Sequence, residues 1–192
     1  MDRTVVYFRH LGELDSPERE AMTDEARARW TWLGIVEPFN FVELTPSKIG
    51  CNAFTFQRES RIYADLHGTD PYVLVDSDML IGSDYSLAKH VALLSQYPEF
   101  AILSAMTTAP GMVIHPWTPE NYQPFVDENV MEHVSVGNLR LCQKGLLKKW
   151  PNQIRSGYDR EHCKALRDAG WRVGFARQFP AIHLGEGKTT LF

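Results

Sequence analysis

The stretch Pro71-Tyr72-Val73-Leu74-Val75-Asp76-Ser77-Asp78 constrains this chain more than any other. A short apolar, β-branched run between Pro71 and Gly82 is the pattern of a strand covered on both faces. The strand ends in two acids one position apart. In an open α/β sheet, ligands gather beyond the carboxyl ends of the strands, which is where Asp76 and Asp78 are expected. Two carboxylates with a spacer suit an oxygen-seeking divalent cation held jointly with substrate phosphates. A strand followed by a ligand-free turn has the same composition, because Asp and Ser are ordinary turn residues.

The flanking sequence alternates in type. Thr4 to Phe8 reads as a first strand, followed by the polar Arg9-His10-Leu11-Gly12. Ser16-Pro17-Glu18 starts a helix, with Ser as cap and Pro in the first turn. That helix is expected to reach about Trp32, with Gly34 closing it. Phe39 to Leu44 is a second strand, Thr45 to Gly50 a loop, and Cys51 to Leu66 a helix with Phe54, Phe56, Ile62 and Leu66 as its apolar positions. Tyr85 to Tyr97 is amphipathic, and Phe100 to Ala105 is the next strand. The order βαβαβαβ implies parallel strands with right-handed crossovers. Thr107 to His133 then breaks the alternation with Pro110, Pro116, Pro119 and Pro124. Its Trp117, Tyr122 and Phe125 suit either a core or the face of a flat or sugar-like molecule. Val134 to Cys142 is a candidate strand, Lys144 to Trp150 a short helix, Tyr158 to Ala169 a helix ended by Gly170, and Trp171 to Ala176 a strand. Glu186 to Phe192 reads as a tail.

The chain has 192 residues, which fits one domain spanning 1–192. A net charge of −4 argues against a broad basic face for nucleic acid. Arg140, Lys144, Lys148, Lys149 and Arg155 form a local basic group that reads as a solvated face. Cys51, Cys142 and Cys163 lack zinc-knuckle or CxxC spacing and read as buried thiols of a reducing cytosol. No leader pattern and no apolar run of the ~18 residues needed to span a bilayer is present, so a cytoplasmic location is expected.

Two further groups complement the acidic turn. Asp159 opens a helix, where the helix dipole favours its ionised form. His183 follows a short apolar pair near the end of the chain. A cation held by Asp78 and His183, with Asp76 nearby, would neutralise a diphosphate leaving group while Asp159 deprotonates an incoming hydroxyl.

Val73-Leu74-Val75-Asp76-Ser77-Asp78 resembles the DxD motif of nucleotide-sugar glycosyltransferases with the GT-A fold. Gly157 to Trp171 is similar to that family's second signature, in which an acid opens a helix, an Arg follows about two turns on and a Gly precedes the next strand. Ile182-His183-Leu184-Gly185 looks like the C-terminal His that completes the metal site, and Ser47 to Asn52 resembles the loop beside the nucleotide. The resemblance, closest to a minimal, single-domain form of the glycosyltransferase family 2-like group, covers about residues 4 to 187. It implies an α/β GT-A three-layer sandwich, Rossmann-like, around a central, mostly parallel sheet. It also implies transfer of a sugar from a UDP- or GDP-sugar to a hydroxyl, assisted by Mn²⁺ or Mg²⁺. Asp78, His183 and Asp76 would hold the metal, with Asp76 also near the ribose. Phe8, Arg9 and His10 would meet the nucleobase and ribose, Thr45 and Lys48 would close the pocket, and Lys188 would fold over the diphosphate. Asp159 would be the base. Gly137-Asn138 would floor the sugar pocket, and the acceptor (glycan, small molecule, protein or modified nucleobase) would sit under residues 107–133. The chain departs from the family in having Tyr158-Asp159 where many members have two acids.

Other readings start from the same residues. A haloacid-dehalogenase-like phosphatase would use Asp76 as nucleophile, but its DxD sits near the N-terminus and a late acidic pair follows; neither is found here. A nucleotidyltransferase would want a Gly-rich first loop, which His10-Leu11-Gly12-Glu13 does not supply. A non-catalytic nucleotide-binding module remains a third alternative.

Overall fold

The computed structural model describes residues 3–12, 16–108, 122–125, 128–133, 136–137, 139–146 and 158–184. Its first half alternates as the sequence implies: β1 (Val5–Arg9), α1 (Pro17–Val36), β2 (Asn40–Leu44), a short α2 (Pro46–Ile49), α3 (Phe56–His67) and β3 (Tyr72–Asp76). There follow β4 (Met79–Ile81), α4 (Leu87–Gln96), β5 (Phe100–Thr108), β6 (Tyr122–Phe125), β7 (Val130–His133), β8 (Leu139–Cys142), α5 (Tyr158–Asp168) and β9 (Arg172–His183).

The strands join in the order β2-β1-β3-β8-β5-β9-β7-β6, with β4 paired to β9. β1 runs parallel to β2 and β3. β8 inserts between β3 and β5, antiparallel to both, so these two parallel strands keep a common direction without pairing directly. β8 brings its own apolar run, Leu139-Arg140-Leu141-Cys142, all buried. The segment expected as a loop over 107–133 contributes an antiparallel pair, β6 and β7, and β7 adds to β9.

Alternation along the strands sorts side chains into two layers. Val6, Phe8, Val73, Val75, Leu139 and Leu141 face Ala26, Trp30 and Leu33 of α1 and Leu87, Leu93 and Leu94 of α4. Val5, Tyr7, Tyr72, Leu74 and Cys142 face Phe56 and Ala64 of α3 and Cys163 and Leu166 of α5. The result is a three-layer α/β sandwich around a mixed, mostly parallel sheet.

Local signals act as expected at several ends. Ser16 caps α1 by accepting from the Arg19 N–H, and Thr45 caps α2 by accepting from the Lys48 N–H. Gly50 and Gly170 take positive φ where α2 and α5 end. Gly34 does not close α1, which continues to Val36. The inward face of α3 also differs from the expected one. Phe54 and Leu66 are 83% and 64% exposed, while Ser60, Arg61, Ala64 and Asp65 turn inward with Phe56. The strand expected over 171–176 runs on to His183, with a register irregularity against β5 between Ala105 and Met106. Of the basic group read as a solvated face, Arg140 is fully buried, and Lys148, Lys149 and Arg155 lie outside the described residues. Cys142 and Cys163 are buried free thiols, and Cys51 is partly buried. Among the described residues no helix is long and apolar enough to cross a membrane.

Trp30 is the largest fully buried side chain and meets Phe39 and Tyr85 edge-on at ring-centroid distances of 6.0 and 5.7 Å. Trp30→Ala is expected to cost about 3–5 kcal/mol of unfolding free energy, by loss of transfer free energy and an unfilled cavity. Urea denaturation of the variant beside the wild type measures it.

Candidate active site

Parallel register places Arg9 opposite Asp76, so the ends of β1 and β3 present a guanidinium and a carboxylate side by side. The Arg9 Nη2 donates to Asp76 Oδ1. Its Nη1 donates to Gln57 Oε1 at 2.9 Å and Ser60 Oγ at 3.3 Å, both on α3. Arg9 is therefore a buried brace between sheet and helix. Phe8 is fully buried against Phe41. Neither residue has the exposure needed to meet a nucleobase, because alternation turns Phe8 into one layer and Arg9 into the other. His10 stays at the edge, with its Nε2 3.1 Å from Glu43 Oε2, and Arg27 Nε donates to Glu43 Oε1 at 2.7 Å. Gly12 adjoins the Thr45 methyl, so the His10–Gly12 turn and the Thr45–Lys48 cap border one another. Lys48 is exposed there.

Asp159, at the start of α5, sits over the same layer. Arg61 from α3 and Arg140 from β8 both reach Asp159 Oδ1. The two arginines are each 1% exposed, whereas the Asp159 side chain is 40% exposed. Burial alone would raise the Asp159 carboxyl, but Arg140 and Arg61 outweigh it and hold the group well below the usual carboxylate range. Arg140 Nη1 lies 3.2 Å from Nδ1 of His162, which is buried and pushed far down by that burial and by Arg61 and Arg140. His162 is thus neutral and accepts from Arg140. The free side of Asp159 faces the 136–139 segment, where a Cβ on Gly137 would lie 3.5 Å from Oδ2. Ser104 Oγ donates to the Gly137 carbonyl at 2.8 Å, which fixes that segment.

Asp78 lies past the end of β3 and meets the far end of β9, because β4 pairs Met79 with His183. His183 Nε2 is 3.0 Å from Asp78 Oδ2, and Arg19 Nη2 of α1 is 3.4 Å from the same oxygen. The Leu184 N–H donates to the Asp78 carbonyl at 2.8 Å. Burial would raise the Asp78 carboxyl, yet the His183 hydrogen bond and the charges of His183 and Arg19 hold it below its ordinary value. The Asp78 hydrogen bond raises His183 in return, against the effect of burial. Asp78 Oδ1 is buried with no hydrogen-bond partner among the described residues. A buried carboxylate oxygen left bare is costly unless a ligand takes it.

The sequence-selected residues divide accordingly. Asp78 and His183 are brought together, and Asp76 joins Arg9 rather than them. Among the described residues no group of three or more His, Cys, Asp or Glu side chains converges on a single point. Arg61, Gln57, Ser60 and Arg19, which contact these acids and Arg9, are not marked by the sequence, and Arg140 is marked there only as part of a basic group read as a solvated face. Lys188, Asn138 and Trp117 lie outside the described residues, as do the side chains of Tyr122 and Phe125.

No family model matches the sequence, and no curated protein does. Solved structures do match. The S. aureus TarS fragment 1–349 superposes with a TM-score of 0.59 at 12% identity, over 95% of this chain and 60% of that one. GalNAc-T7 with UDP, GalNAc and Mn²⁺ gives a TM-score of 0.60 at 10% identity, over 98% of this chain and 45% of that one. The fold is that of the GT-A-like nucleotide-sugar transferases. A glycosyltransferase involved in the glycosylation of the major capsid of PBCV-1 matches over 82% of its own length, with a TM-score of 0.51 and 12% identity. UDP-glucose pyrophosphorylase complexed with UDP-glucose, a nucleotidyltransferase, shares the GT-A-like fold at a TM-score of 0.52 and 11% identity. It covers 94% of this chain and 92% of that one.

Asp159→Asn removes the anion shared by two buried guanidiniums. The expected loss is about 2 kcal/mol at pH 7, the lower part of the range for breaking a buried pair because Asp159 is partly exposed. A carboxyl with a depressed folded-state pKa contributes stability above its unfolded pKa of ~3.9 and loses it as pH falls through the folded value. The gap between wild type and Asp159→Asn should therefore hold from pH 7 to about 4 and narrow below it, as read by urea denaturation across pH.

Proposed function

We propose that the protein is a metal-dependent glycosyltransferase that moves a sugar from a nucleoside-diphosphate donor, most simply a UDP-sugar, to an acceptor hydroxyl. One observation carries the reading: Asp78, paired with His183 at the carboxyl edge of a GT-A-like sheet, keeps one buried oxygen with no hydrogen-bond partner among the described residues. A carboxylate and an imidazole with a vacant oxygen fit Mn²⁺ or Mg²⁺ completed by donor phosphates. Asp78 and His183 would hold the ion, and Asp76, braced by Arg9, would lie toward the ribose. When bound, the metal supplies charge neutralisation for the departing diphosphate.

Asp159 acts as the base. The acceptor oxygen attacks the anomeric carbon, the bond from that carbon to the diphosphate breaks, and its electron pair leaves on the diphosphate. The hydroxyl proton passes to Asp159 Oδ2, the oxygen on the Gly137 side. Arg61 and Arg140 lower the proton affinity of Asp159, which weakens it as a base. In exchange they fix its orientation and keep it ionised at every working pH. Proton transfer then comes late, as bond cleavage makes the acceptor oxygen acidic. His10, Thr45 and Lys48 border the nucleobase side, and Lys188 would close on the diphosphate.

A nucleotidyltransferase reading shares the fold, but the turn after β1 offers no Gly-rich phosphate loop. A phosphatase reading with Asp76 as nucleophile lacks the late acidic pair and the N-terminal position that such a motif carries.

A thermal-shift panel of UDP-, GDP- and ADP-sugars, with and without Mn²⁺, is expected to show stabilisation by one nucleotide class that requires the metal. Asp78→Ala should abolish that shift. Asp159→Asn should keep the shift and lose turnover by about 10²-fold or more. Undiminished turnover in Asp159→Asn would remove it as base, and metal-independent shifts would remove the metal.

A further inference from the structure

Arg19 stands where its own helix disfavours it. It is the third residue of α1, after Pro17 and Glu18, at the positive end of the helix dipole. Its guanidinium nevertheless turns to Asp78, 3.4 Å from the Oδ2 that His183 also contacts. The Asp78 side chain is 4% exposed and that of Arg19 is 40% exposed, so the guanidinium reaches the buried carboxylate from the solvent side. Asp78 Oδ1, beside them, has no hydrogen-bond partner among the described residues.

We propose that Arg19 is a built-in counter-cation of Asp78 that yields to a divalent metal only when a nucleoside diphosphate arrives to receive it. The proposal rests on the metal reading above and adds a coupling that the reading does not contain. A divalent cation on Asp78 and a guanidinium on the same carboxylate repel each other at short range. Metal binding without nucleotide must therefore force Arg19 out to solvent or tolerate it. A diphosphate changes both sides of this balance. It gives the metal further oxygen ligands, and it offers the guanidinium fork a pair of anionic oxygens that it fits better than one edge of a carboxylate. Arg19 then passes from Asp78 to the diphosphate. Metal and nucleotide bind together, each tightening the other by the same factor. The free protein keeps Asp78 charge-balanced and takes up little metal until donor is present.

Calorimetric titration and Mn²⁺ electron paramagnetic resonance test this on the full chain, with MnCl₂ alone and with UDP, GDP or inorganic pyrophosphate added. The variants are Arg19→Gln and the charge-preserving Arg19→Lys. In the wild type, the diphosphate is expected to tighten Mn²⁺ by a factor within the usual range of about 5- to 150-fold. Arg19→Gln should bind Mn²⁺ alone about 5- to 20-fold more tightly than the wild type and lose most of that coupling. Arg19→Lys should keep weak binding of Mn²⁺ alone and part of the coupling. Equal Mn²⁺ affinity in wild type and Arg19→Gln without diphosphate, or full coupling in Arg19→Gln, overturns the role of Arg19 and leaves the metal reading standing. No Mn²⁺ binding by the wild type with any diphosphate overturns both.

Discussion

The fold depends on closing a set of charges that the sheet buries at its carboxyl edge. Arg9, Arg61 and Arg140 lie beneath the surface, and Asp76 and Asp159 answer them. Each element of that layer contributes one member: β1, α3, β8, β3 and α5. Removing one partner leaves a buried charge uncompensated, which costs several kcal/mol, so the elements are held to one arrangement. This helps explain how four residues of β8 can enter between β3 and β5. Arg140 there reaches Asp159 and His162, while its neighbours Leu139 and Leu141 supply the opposite core.

The same layer division separates the two acids of Asp76-Ser77-Asp78. Asp76 ends a strand and faces the α3/α5 side, where Arg9 takes it. Asp78 lies past the strand and is met by β9 and α1. Arg9 takes Asp76 Oδ1, while Asp78 shares Oδ2 with His183 and Arg19 and keeps a buried Oδ1 without a hydrogen-bond partner among the described residues. That buried acceptor is what a ligand at this edge would fill.

The alternating elements up to β5 were legible because apolar runs, caps and Gly stops agree with one another. So was the placement of Asp159 at a helix start, and Asp78 and His183, 105 residues apart, do meet. The antiparallel insertion of β8 was not legible, because a four-residue strand carries no mark of its neighbours or direction. Arg140 looked like part of a basic surface since Lys144, Lys148 and Lys149 follow it. Its position between Leu139 and Leu141 was the signal that it is buried and partnered. Arg61 was missed for a related reason. The apolar residues of its helix suggested one inward face, and the helix instead turns Ser60, Arg61 and Asp65 toward charges supplied by distant segments. The resemblance assigns Phe8 and Arg9 to the nucleobase and ribose, but alternation along β1 buries Phe8 on one side of the sheet and Arg9 on the other.

The central claim is that Asp78 holds a divalent ion together with a nucleoside diphosphate. Crystals grown with UDP and Mn²⁺ and measured at the manganese absorption edge test it most directly. The account predicts an anomalous peak beside Asp78 Oδ1, shared with His183 and with oxygens of the diphosphate. Bound UDP with no manganese at Asp78, or manganese only elsewhere on the protein, would contradict it.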